Sequence, residues 1–300
     1  GSFGQAFVKL TLKKFKPKNI IVYSRDESKQ WDMQKKLEKF RNLKFIIGDV
    51  RDEKQLNDSM KNVDYVVHAA ATKIVPTAET NPYECIKTNI IGSMNVIVSA
   101  KNNNVKKVVA LSTDKACNPV NLYGSTKLAA DKLFIAGNNF SEKNKTTFSI
   151  VRYGNVIGSR GSAIPFFKEQ VKNGQITITD FKMTRFLLSL KDCVDFTWLA
   201  FNKMYGGEIF VKKIPSIKIK DLADAVNLNK KKYKIIGVRP GEKIHEEMIS
   251  KDDAPYTYES KNYYKIIPTI NNNIKYYKIN KSQKVKNDFN YISNINNNWV

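Results

Sequence analysis

The stretch Leu111–Lys127, LSTDKACNPVNLYGSTK, brings an acid, a phenol and two amines into one short segment. The polar residues Ser112–Lys115 follow directly after the apolar run KKVVAL, and Tyr123 and Lys127 lie four residues apart. Residues four apart lie on the same face of a helix. The stretch therefore predicts a β-strand that ends in a polar turn, followed by a helix that presents Tyr123 and Lys127 together.

The same alternation of short apolar runs and longer amphipathic segments extends over the first half of the chain. The runs rich in β-branched residues are NIIVYS, KFIIGD, VDYVVHAAA, KKVVALST and TFSIVRY. Short strands separated by helical segments predict a parallel, doubly wound α/β sheet of the Rossmann type. Such sheets bind ligands at the carboxyl ends of their strands, where this chain places polar residues. These are Ser24, Arg25, Asp49, His68–Ala71, Ser112–Lys115 and Tyr153–Asn155.

Two parts are predicted along the chain. Residues 1–157 form a dinucleotide-binding domain. Residues 158–300, where the alternation loosens, form mainly a smaller mixed substrate-binding part that is interleaved with the first. The Asn-rich final segment predicts only a polar periphery.

The chain of 300 residues carries a formal net charge of +23, from 51 Lys and Arg against 28 Asp and Glu. A polyanion-binding surface is one interpretation of this excess. The lysines are spread along the whole chain and accompany many asparagines, which favours a compositional bias displayed on solvated faces. We therefore expect no nucleic-acid partner. The sequence contains no apolar run of the ~20 residues that a membrane helix requires, so no membrane partner is expected either.

The cysteines and histidines are few and scattered. Cys85, Cys117 and Cys193 lie far apart and form no CxxC pair, and His68 and His245 are the only histidines. This pattern disfavours a zinc site or a disulfide framework and is typical of a reducing cytoplasm. A cytoplasmic protein without a structural metal is expected.

The first residues suggest a nucleotide site. Gly1, Ser2, Phe3 and Gly4 precede an amphipathic helix and suit the second half of a Gly-rich turn that holds a pyrophosphate at a helix N-terminus. The strand that should precede such a turn is missing from this chain. A leading Gly-Ser is also a common cloning remnant, so that reading stays open.

The second strand of the predicted sheet favours NADP. NAD-binding proteins commonly end this strand with a carboxylate for the ribose 2′-hydroxyl. The segment VYSRDESK instead supplies Ser24, Arg25 and Lys29, which suit a 2′-phosphate. An ordinary charged loop is the alternative. Further cofactor contacts are expected from Asp49 and Val50 at the adenine edge and from the small residues Ala69, Ala70 and Ala71.

The Tyr-x-x-x-Lys arrangement predicts acid–base chemistry beside a nicotinamide. The ammonium of Lys127, one turn from the phenol of Tyr123, should lower the phenol pKa from its ordinary value of about 10. Tyr123 then takes a proton from a sugar hydroxyl while a hydride leaves for the nicotinamide, whose ribose Lys127 holds.

With Ser112 and Thr113 upstream, these residues resemble the extended short-chain dehydrogenase/reductase superfamily. The pair Asp114-Lys115 narrows the resemblance to the nucleotide-sugar 4,6-dehydratases. Several longer stretches are similar to the inverting UDP-N-acetylglucosamine 4,6-dehydratases that open pseudaminic acid synthesis. These are YSRDESKQ, HAAATKIVPTAETNPYECIKTNIIGS, VRYGNVIGSRGSAIPFF, ITDFKMTRF, GGEIFV and RPGEKIHEEMI.

The resemblance implies a reaction and a role for each catalytic residue. NADP oxidises C4 of the sugar, water is lost across C5 and C6, and the hydride returns to C6. Lys115, an amine held neutral by its surroundings, is the base for the C5 proton, and Asp114 is the acid for the C6 hydroxyl. Tyr123 serves the C4 oxidation with help from Thr113 and Lys127.

The resemblance also implies a UDP-N-acetylglucosamine site and a homo-oligomer. One departure concerns Ile74, which stands where the family commonly has histidine. His68 and His245, the latter on a predicted helix, are expected to be structural. The candidates around the substrate are Lys73, Lys87, Asn155, Thr179, Arg185 and Arg239.

Other functions stay open at this point. A C5-retaining dehydratase or a UDP-sugar epimerase would use the same fold. An epimerase needs no acid–base pair for C5, so Asp114 and Lys115 disfavour it. A non-catalytic NADP-binding or polyanion-binding protein is the alternative of another class, and the intact Thr113, Tyr123 and Lys127 disfavour it.

Overall fold

A computed structural model describes residues 1–139, 146–159, 162–227, 231–269 and 282–300. The helices are α1 (Ser2–Lys14), α2 (Glu27–Lys36), α3 (Glu53–Ser59), α4 (Val75–Thr80), α5 (Pro82–Ile86), α6 (Gly92–Asn102), α7 (Leu122–Ala136), α8 (Ala163–Lys172), α9 (Leu190–Lys203) and α10 (Ile219–Asp224). A π-helical turn (Lys87–Ile91) joins α5 to α6.

The strands are short and fall mainly between these helices. They are β1 (Ile20–Ser24), β2 (Leu43–Ile47), β3 (Tyr65–His68), β4 (Lys107–Leu111), β5 (Thr147–Arg152), β6 (Asn155–Val156), β7 (Ile176–Ile178), β8 (Thr184–Leu188), β9 (Ile209–Lys212), β10 (Ser216–Lys218), β11 (Tyr233–Ile235), β12 (Glu247–Ile249), β13 (Thr257–Glu259), β14 (Tyr263–Ile266), β15 (Gln283–Lys284) and β16 (Tyr291–Ile292).

The largest sheet has the order β15-β13-β14-β9-β5-β4-β3. Its strands β3, β4, β5 and β9 are parallel, whereas β14, β13 and β15 are antiparallel to their neighbours. Helices cover the parallel part, so its strands are buried apolar runs, as in Val108 and Val109 of β4 and Ile150 of β5. The predicted α/β sheet is confirmed.

Strands β1 and β2 form a separate parallel pair in register Ile20 with Leu43. Helices α1 and α2 pack on this pair through Val8, Met33 and Leu37. Among the described residues, β1 pairs only with β2, and β3 pairs only with β4. The strand expected before Gly1 stays a prediction.

Side-chain caps mark the starts of several helices. Asp26 accepts the Lys29 N–H at the start of α2, and Asn121 accepts the Gly124 N–H at the start of α7, at 2.8 and 2.7 Å. A cap at this place satisfies a backbone donor that the helix leaves unpaired. It also fixes where each helix begins relative to the polar edge of the sheet.

The part after residue 157 contributes to the large sheet and also forms a second, smaller core. Helices α8 and α10 pack there with β7 and β8 around Phe167, Ile176 and Leu222. No helix of the described residues is both long and apolar enough to cross a membrane. The described residues also contain no cluster of His, Cys, Asp and Glu suited to a metal ion.

Two predictions about the C-terminal part are wrong. His245 lies in a β-bridge with Thr184 and not on a helix. The final segment is also more than a polar periphery, because β16 pairs with β12 and the buried Tyr291 hydroxyl donates to the Ile214 carbonyl at 2.9 Å. Tertiary pairing overrides local composition in both places.

Candidate active site

The predicted catalytic turn, residues 113–116, follows β4 and lies against the first turn of α7. Thr113 precedes a one-turn 3-10 helix, Asp114–Ala116. The Thr113 Oγ1 accepts the Lys115 N–H at 3.3 Å. The Lys115 carbonyl approaches Gly124 so closely that a Cβ there would lie 2.3 Å from that oxygen. Glycine at position 124 therefore lets the turn lie directly beside Tyr123.

The phenol of Tyr123 is 92% removed from solvent and hydrogen-bonds Thr113. Burial raises the pKa of Tyr123 to about 12, while Lys115 and Thr113 act in the opposite direction. The predicted lowering of the phenol pKa is therefore wrong for this structure. The structure places Thr113, Asp114 and Lys115 close to the phenol, as the sequence predicts.

Lys127 lies one turn further along α7 and is buried. Burial lowers its pKa, and the nearby Asp131 opposes that change. Asp131 accepts the Ser112 hydroxyl at 2.7 Å and pairs with Arg152 at 3.4 Å. These contacts hold the strand end and the helix in one arrangement behind the catalytic turn.

His68 is also buried and lies close to Lys127. Its Nε2 lies 3.3 Å from the Ser93 hydroxyl, and burial together with Lys127 lowers its pKa to about 3. The ring is therefore neutral at physiological pH. This agrees with the structural role expected for His68.

Lys115 bridges two buried carboxyl groups. Its Nζ lies 3.0 Å from Asp114 Oδ1 and 3.1 Å from Glu246 Oε1. Burial opposes its charge, but Asp114 and Glu246 outweigh burial and raise the pKa of Lys115. Lys115 is therefore an ammonium in this structure, and the expectation of an amine held neutral by its surroundings is wrong.

The pKa values of the two carboxyl groups around Lys115 are shifted in opposite directions. Burial, together with Glu246, raises the pKa of Asp114. Burial would also raise the pKa of Glu246, but Lys115 and Arg185 lower it below its ordinary value. Of the two carboxyl groups, Asp114 is therefore the one shifted toward the acid form and Glu246 the one shifted toward the carboxylate.

The predicted substrate residues fall into two groups. Lys73 lies near enough to Lys115 that the two charges interact and, with partial burial, lower the Lys73 pKa. Arg185 pairs with Glu246 at 3.6 Å and lines a small cleft together with Asn155. The structure therefore brings Lys73, Arg185 and the Asn155 cleft to the catalytic side.

The remaining residues predicted to bind the substrate are exposed or half-buried. Thr179 is half-buried directly after β7, and Lys87 is exposed on the π-helical turn. The side chain of Arg239 is 54% exposed and pairs with Glu242. Ile74, at the departure from the family motif, is exposed at the start of α4.

The predicted cofactor residues line the ends of β1, β2 and β3. Ser24 Oγ accepts the Gln30 amide at 3.0 Å, and the exposed Arg25 pairs with Asp49 at 3.5 Å. Asp26, the first carboxylate after β1, caps α2 and pairs with Lys29. Arg51 lowers the pKa of Asp49 despite partial burial. The end of β1 therefore presents a hydroxyl and a guanidinium.

The other residues predicted to bind the cofactor lie at the start of α1, after β2 and after β3. Gly1 caps α1, and a Cβ at Gly1 or Gly4 would meet no described atom within 4 Å. Phe3 stacks on Phe7 and belongs to the packing of α1. The Val50 carbonyl accepts the Asn95 amide at 2.9 Å. Ala69 and Ala71 are exposed and Ala70 is half-buried after β3.

Sequence reasoning missed Glu246, Asp131 and Ser162. The Ser162 hydroxyl and Asn155 Oδ1 are buried in the same cleft without a hydrogen-bond partner among the described residues. Glu246 belongs to RPGEKIHEEMI, whose glutamates resemble those on a solvated helix face. Asp131 follows Lys127 by four residues on α7, and that spacing is the signal that could have identified it.

Comparisons with known proteins match the whole described fold. The family model described as polysaccharide biosynthesis protein matches residues 1–268. The inverting UDP-N-acetylglucosamine 4,6-dehydratase of Campylobacter jejuni subsp. jejuni serotype O:23/36 (strain 81-176) is 53% identical over 308 aligned residues, covering 100% of this chain and 92% of that protein.

Two further proteins are similar at lower identity. The UDP-glucose 4-epimerase of Rickettsia bellii (strain OSU 85-389) is 46% identical over 273 aligned residues, covering 89% of this chain and 80% of that protein. The X-ray structure of Pen from Bacillus thuringiensis is 36% identical with a TM-score of 0.91, covering 99% of this chain and 90% of that chain.

Proposed function

The chain belongs to the polysaccharide biosynthesis protein family, and we propose that it acts within that family as a C5-inverting UDP-N-acetylglucosamine 4,6-dehydratase. The observation that carries this proposal is the ion pair of the buried Asp114 with the half-buried Lys115 beside Tyr123. The resemblance inferred from the sequence motifs is confirmed by the family match and by 53% identity over the full chain. The protein is a lyase of the nucleotide-sugar class.

The overall reaction converts UDP-N-acetylglucosamine into UDP-2-acetamido-2,6-dideoxy-β-L-arabino-hex-4-ulose and water. The proposed place of this product is the first step of pseudaminic acid synthesis. The reaction needs an oxidation at C4, a proton transfer at C5 and a departure at C6. Tyr123 and Lys127 serve the first of these, and Asp114 and Lys115 serve the other two.

The cofactor is a nicotinamide dinucleotide, and we propose NADP. When bound, NADP would accept a hydride from C4 and return it to C6, after which C5 must regain a proton, on the opposite face for inversion. The donor groups at the end of β1 fit its 2′-phosphate, because Ser24 and Arg25 point to an anion whereas Asp26 is occupied as the cap of α2. Residues 1–4 at the start of α1 would hold the pyrophosphate by their backbone N–H groups.

Tyr123 and Thr113 prepare the oxidation. The Thr113 hydroxyl contacts the phenol and orients it toward the sugar C4 hydroxyl. A phenol whose pKa is raised by burial needs a nearby cation when it gives up its proton, and Lys127 and Lys115 supply positive charge on either side. As the phenolate, with its own proton released to solvent, Tyr123 takes the proton of the C4 hydroxyl as the C4 hydride departs.

Asp114 and Lys115 carry out the elimination. Once C4 is a ketone, the C5 proton becomes acidic enough for an amine to remove it. Asp114 favours its protonated form and gives that proton to the departing C6 hydroxyl. Lys115 serves as the base after its own proton has moved away.

The substrate diphosphate is expected in the cleft that Arg185 and Asn155 line. A guanidinium matches diphosphate oxygens through its fork of N–H donors. The unpartnered Ser162 hydroxyl can donate to a phosphate oxygen there, whereas Asn155 Oδ1 can only accept from a donor group of the ligand. Lys73 extends the positive potential toward the sugar.

An epimerase is the second candidate because a relative with that name is 46% identical to this chain. An epimerase would return the hydride to C4 and leave C5 and C6 unchanged. The buried acid beside an ammonium is what favours dehydration, since epimerisation has no use for it.

The three free, buried cysteines suit a reducing compartment, and we propose a cytoplasmic enzyme. We also propose a homo-oligomer. Ile91, Met94 and Val98 are exposed along one face of the π-turn and α6, which is the kind of apolar surface that a second copy covers.

The deciding experiment is NMR of the product formed from UDP-N-acetylglucosamine in deuterated water. We expect a 4-keto sugar with a C6 methyl group, inverted configuration and one deuterium at C5. Tyr123→Phe serves as the matched control and should form no ketone. A C4 epimer with an intact C6 hydroxyl would contradict the proposal in favour of the epimerase, and retained C5 configuration would contradict the inverting assignment.

A further inference from the structure

Glu246 has no bond-breaking role of its own in the proposed reaction. Among the described residues that have such a role, it contacts Lys115, and it is one of the most buried acids. It is 2% exposed and lies directly before β12. Its Oε1 is shared between Lys115 Nζ at 3.1 Å and Arg185 Nε at 3.6 Å. Its backbone N–H donates to the Ser293 hydroxyl at 2.9 Å, which fixes the strand position.

Asp114, on the other side of Lys115, has a different set of partners. Its Oδ1 accepts from Lys115 at 3.0 Å and from the Thr113 hydroxyl at 3.0 Å. Its Oδ2 is buried and has no hydrogen-bond partner among the described residues, and the same is true of Glu246 Oε2. Glu246 therefore pairs with two cations, whereas Asp114 shares one.

This asymmetry decides which carboxyl group is ionised. Arg185 compensates Glu246, so Asp114 depends on the shared ammonium of Lys115 alone and is the less compensated of two buried carboxylates, for which burial favours the neutral acid. The acid with fewer cations is the one to be protonated. Asp114 Oδ2, which no described group contacts, is the oxygen left to carry that proton.

We propose that Glu246 is a positioning residue for the dehydration step, because its carboxylate carries the counter-charge of Lys115 and thereby keeps Asp114 protonated as the acid. The inference rests on the proposed function for the identity of the step. The charge arrangement itself is a property of the protein alone. Further charged groups around the site are Lys243 on the loop before Glu246, Lys73 facing Lys115, and Tyr123 and His245.

The proton transfers of the elimination balance with Lys115, Glu246 and Asp114 alone. A proton moves from the Lys115 ammonium to the Glu246 carboxylate and leaves an amine. The amine takes the C5 proton, while Asp114 gives its proton to the C6 hydroxyl, which departs as water. Lys115 touches both carboxyl groups, so the proton held by Glu246 passes through it to Asp114 and restores the starting state.

The test compares Glu246→Gln with Glu247→Gln. Glutamine keeps the shape of the side chain but removes its charge. Glu247 is the adjacent residue, and its carboxylate accepts the Asn118 amide at 2.7 Å and belongs to no part of the site. The first measurement is the infrared carbonyl band of a protonated carboxyl in the protein without substrate, assigned to Asp114 by its loss in Asp114→Asn.

We expect the band in the wild type and in Glu247→Gln, and its loss in Glu246→Gln, because Asp114 then becomes the sole anionic partner of Lys115. A band that persists in Glu246→Gln would overturn the proposal. So would its absence from the wild type. This measurement needs no turnover and therefore stands even if the substrate assignment fails.

The second measurement uses UDP-N-acetylglucosamine. In Glu246→Gln the overall rate should fall by about 10²–10⁴, the contribution of a general acid, while reduced nicotinamide still forms in the first half-reaction. Glu246→Asp should restore part of the rate. Equal loss of both half-reactions, without rescue by aspartate, would mean that Glu246 only maintains the fold.

Discussion

The catalytic turn with α7 and the edge formed by β1 and β2 hold their charged groups in opposite ways. At the catalytic turn, Asp114, Tyr123 and Lys127 are each more than nine-tenths buried and in contact with neighbours that shift their pKa. At the β1–β2 edge, the side chain of Arg25 is 54% exposed and pairs with Asp49 across 3.5 Å. Exposed pairs of this kind contribute little to stability.

The difference separates two tasks. Buried groups keep a fixed protonation state and geometry, which proton transfer requires. Exposed groups keep their hydration until a charged ligand arrives, so their main effect is on affinity. Substitutions at the catalytic turn should therefore change chemical steps, and substitutions at the β1–β2 edge should change cofactor binding alone.

The largest effect is expected for Lys115→Met. Methionine keeps most of the side-chain volume but removes the base, so C5 proton removal should stop, whereas C4 oxidation should continue more slowly because Lys127 is then the cation left to support Tyr123. The overall rate should fall by about 10²–10⁴. The measurement combines absorbance of reduced nicotinamide with deuterium uptake at C5, and reduced nicotinamide should accumulate.

Tyr123→Phe is the matched contrast, since it should suppress the hydride transfer and give neither signal. If Lys115→Met exchanged the C5 proton at the wild-type rate, Lys115 would be a binding residue. The two halves of the catalytic stretch would then no longer divide the reaction as proposed.

A smaller effect is expected for Gly124→Ala. Alanine is normally the better helix former by about 1 kcal/mol. Here its Cβ would lie 2.3 Å from the Lys115 carbonyl oxygen, so the catalytic turn must move away from α7. Such overpacking costs about 1–3 kcal/mol. Urea unfolding should show this loss, and kcat should fall with it.

Ser125→Ala on the exposed side of the same turn is the control and should change stability by no more than about 0.5 kcal/mol. A stabilised Gly124→Ala variant would show that the turn can shift without cost. The rigid placement of Lys115 against α7 would then be incorrect.

The same two regions show what the sequence can predict. The strands and the turn–helix unit were predictable because β-branched runs, caps and the Tyr-x-x-x-Lys spacing are local signals. Thr113, Asp114, Lys115 and Tyr123 accordingly lie together in the structure. The chemistry of a family motif is also local, which is why the reaction class followed from a short stretch.

The protonation states were not predictable, because they depend on burial and on partners far along the chain. Glu246 reaches Lys115 only when β12 packs beside the catalytic turn, and it adds to Asp114 in raising the pKa of that lysine. The predicted helix around His245 failed for a related reason. Good helix formers there are overridden by pairing of Thr184 N–H with the Ile244 carbonyl at 3.1 Å and by burial of Met248.

The smallest effect is expected for Arg25→Ala at the β1–β2 edge. A charged hydrogen bond to a phosphate contributes about 1.5–3 kcal/mol, and the lower end applies here because Arg25 is exposed and shared with Asp49. The affinity for NADP should therefore fall by about tenfold, whereas the affinity for NAD, which lacks the 2′-phosphate, should not change. Calorimetric titration of nucleotide-free protein with both cofactors measures this ratio.

Arg41→Ala is the matched control, since Arg41 is an exposed cation before β2 and thus at the opposite end of the same strand pair. Equal losses for both cofactors would place Arg25 at the pyrophosphate, and no loss for either would make the segment after β1 an ordinary charged loop. In either case the assignment of NADP would lose its structural basis, while the buried catalytic groups, which do not depend on it, would keep theirs.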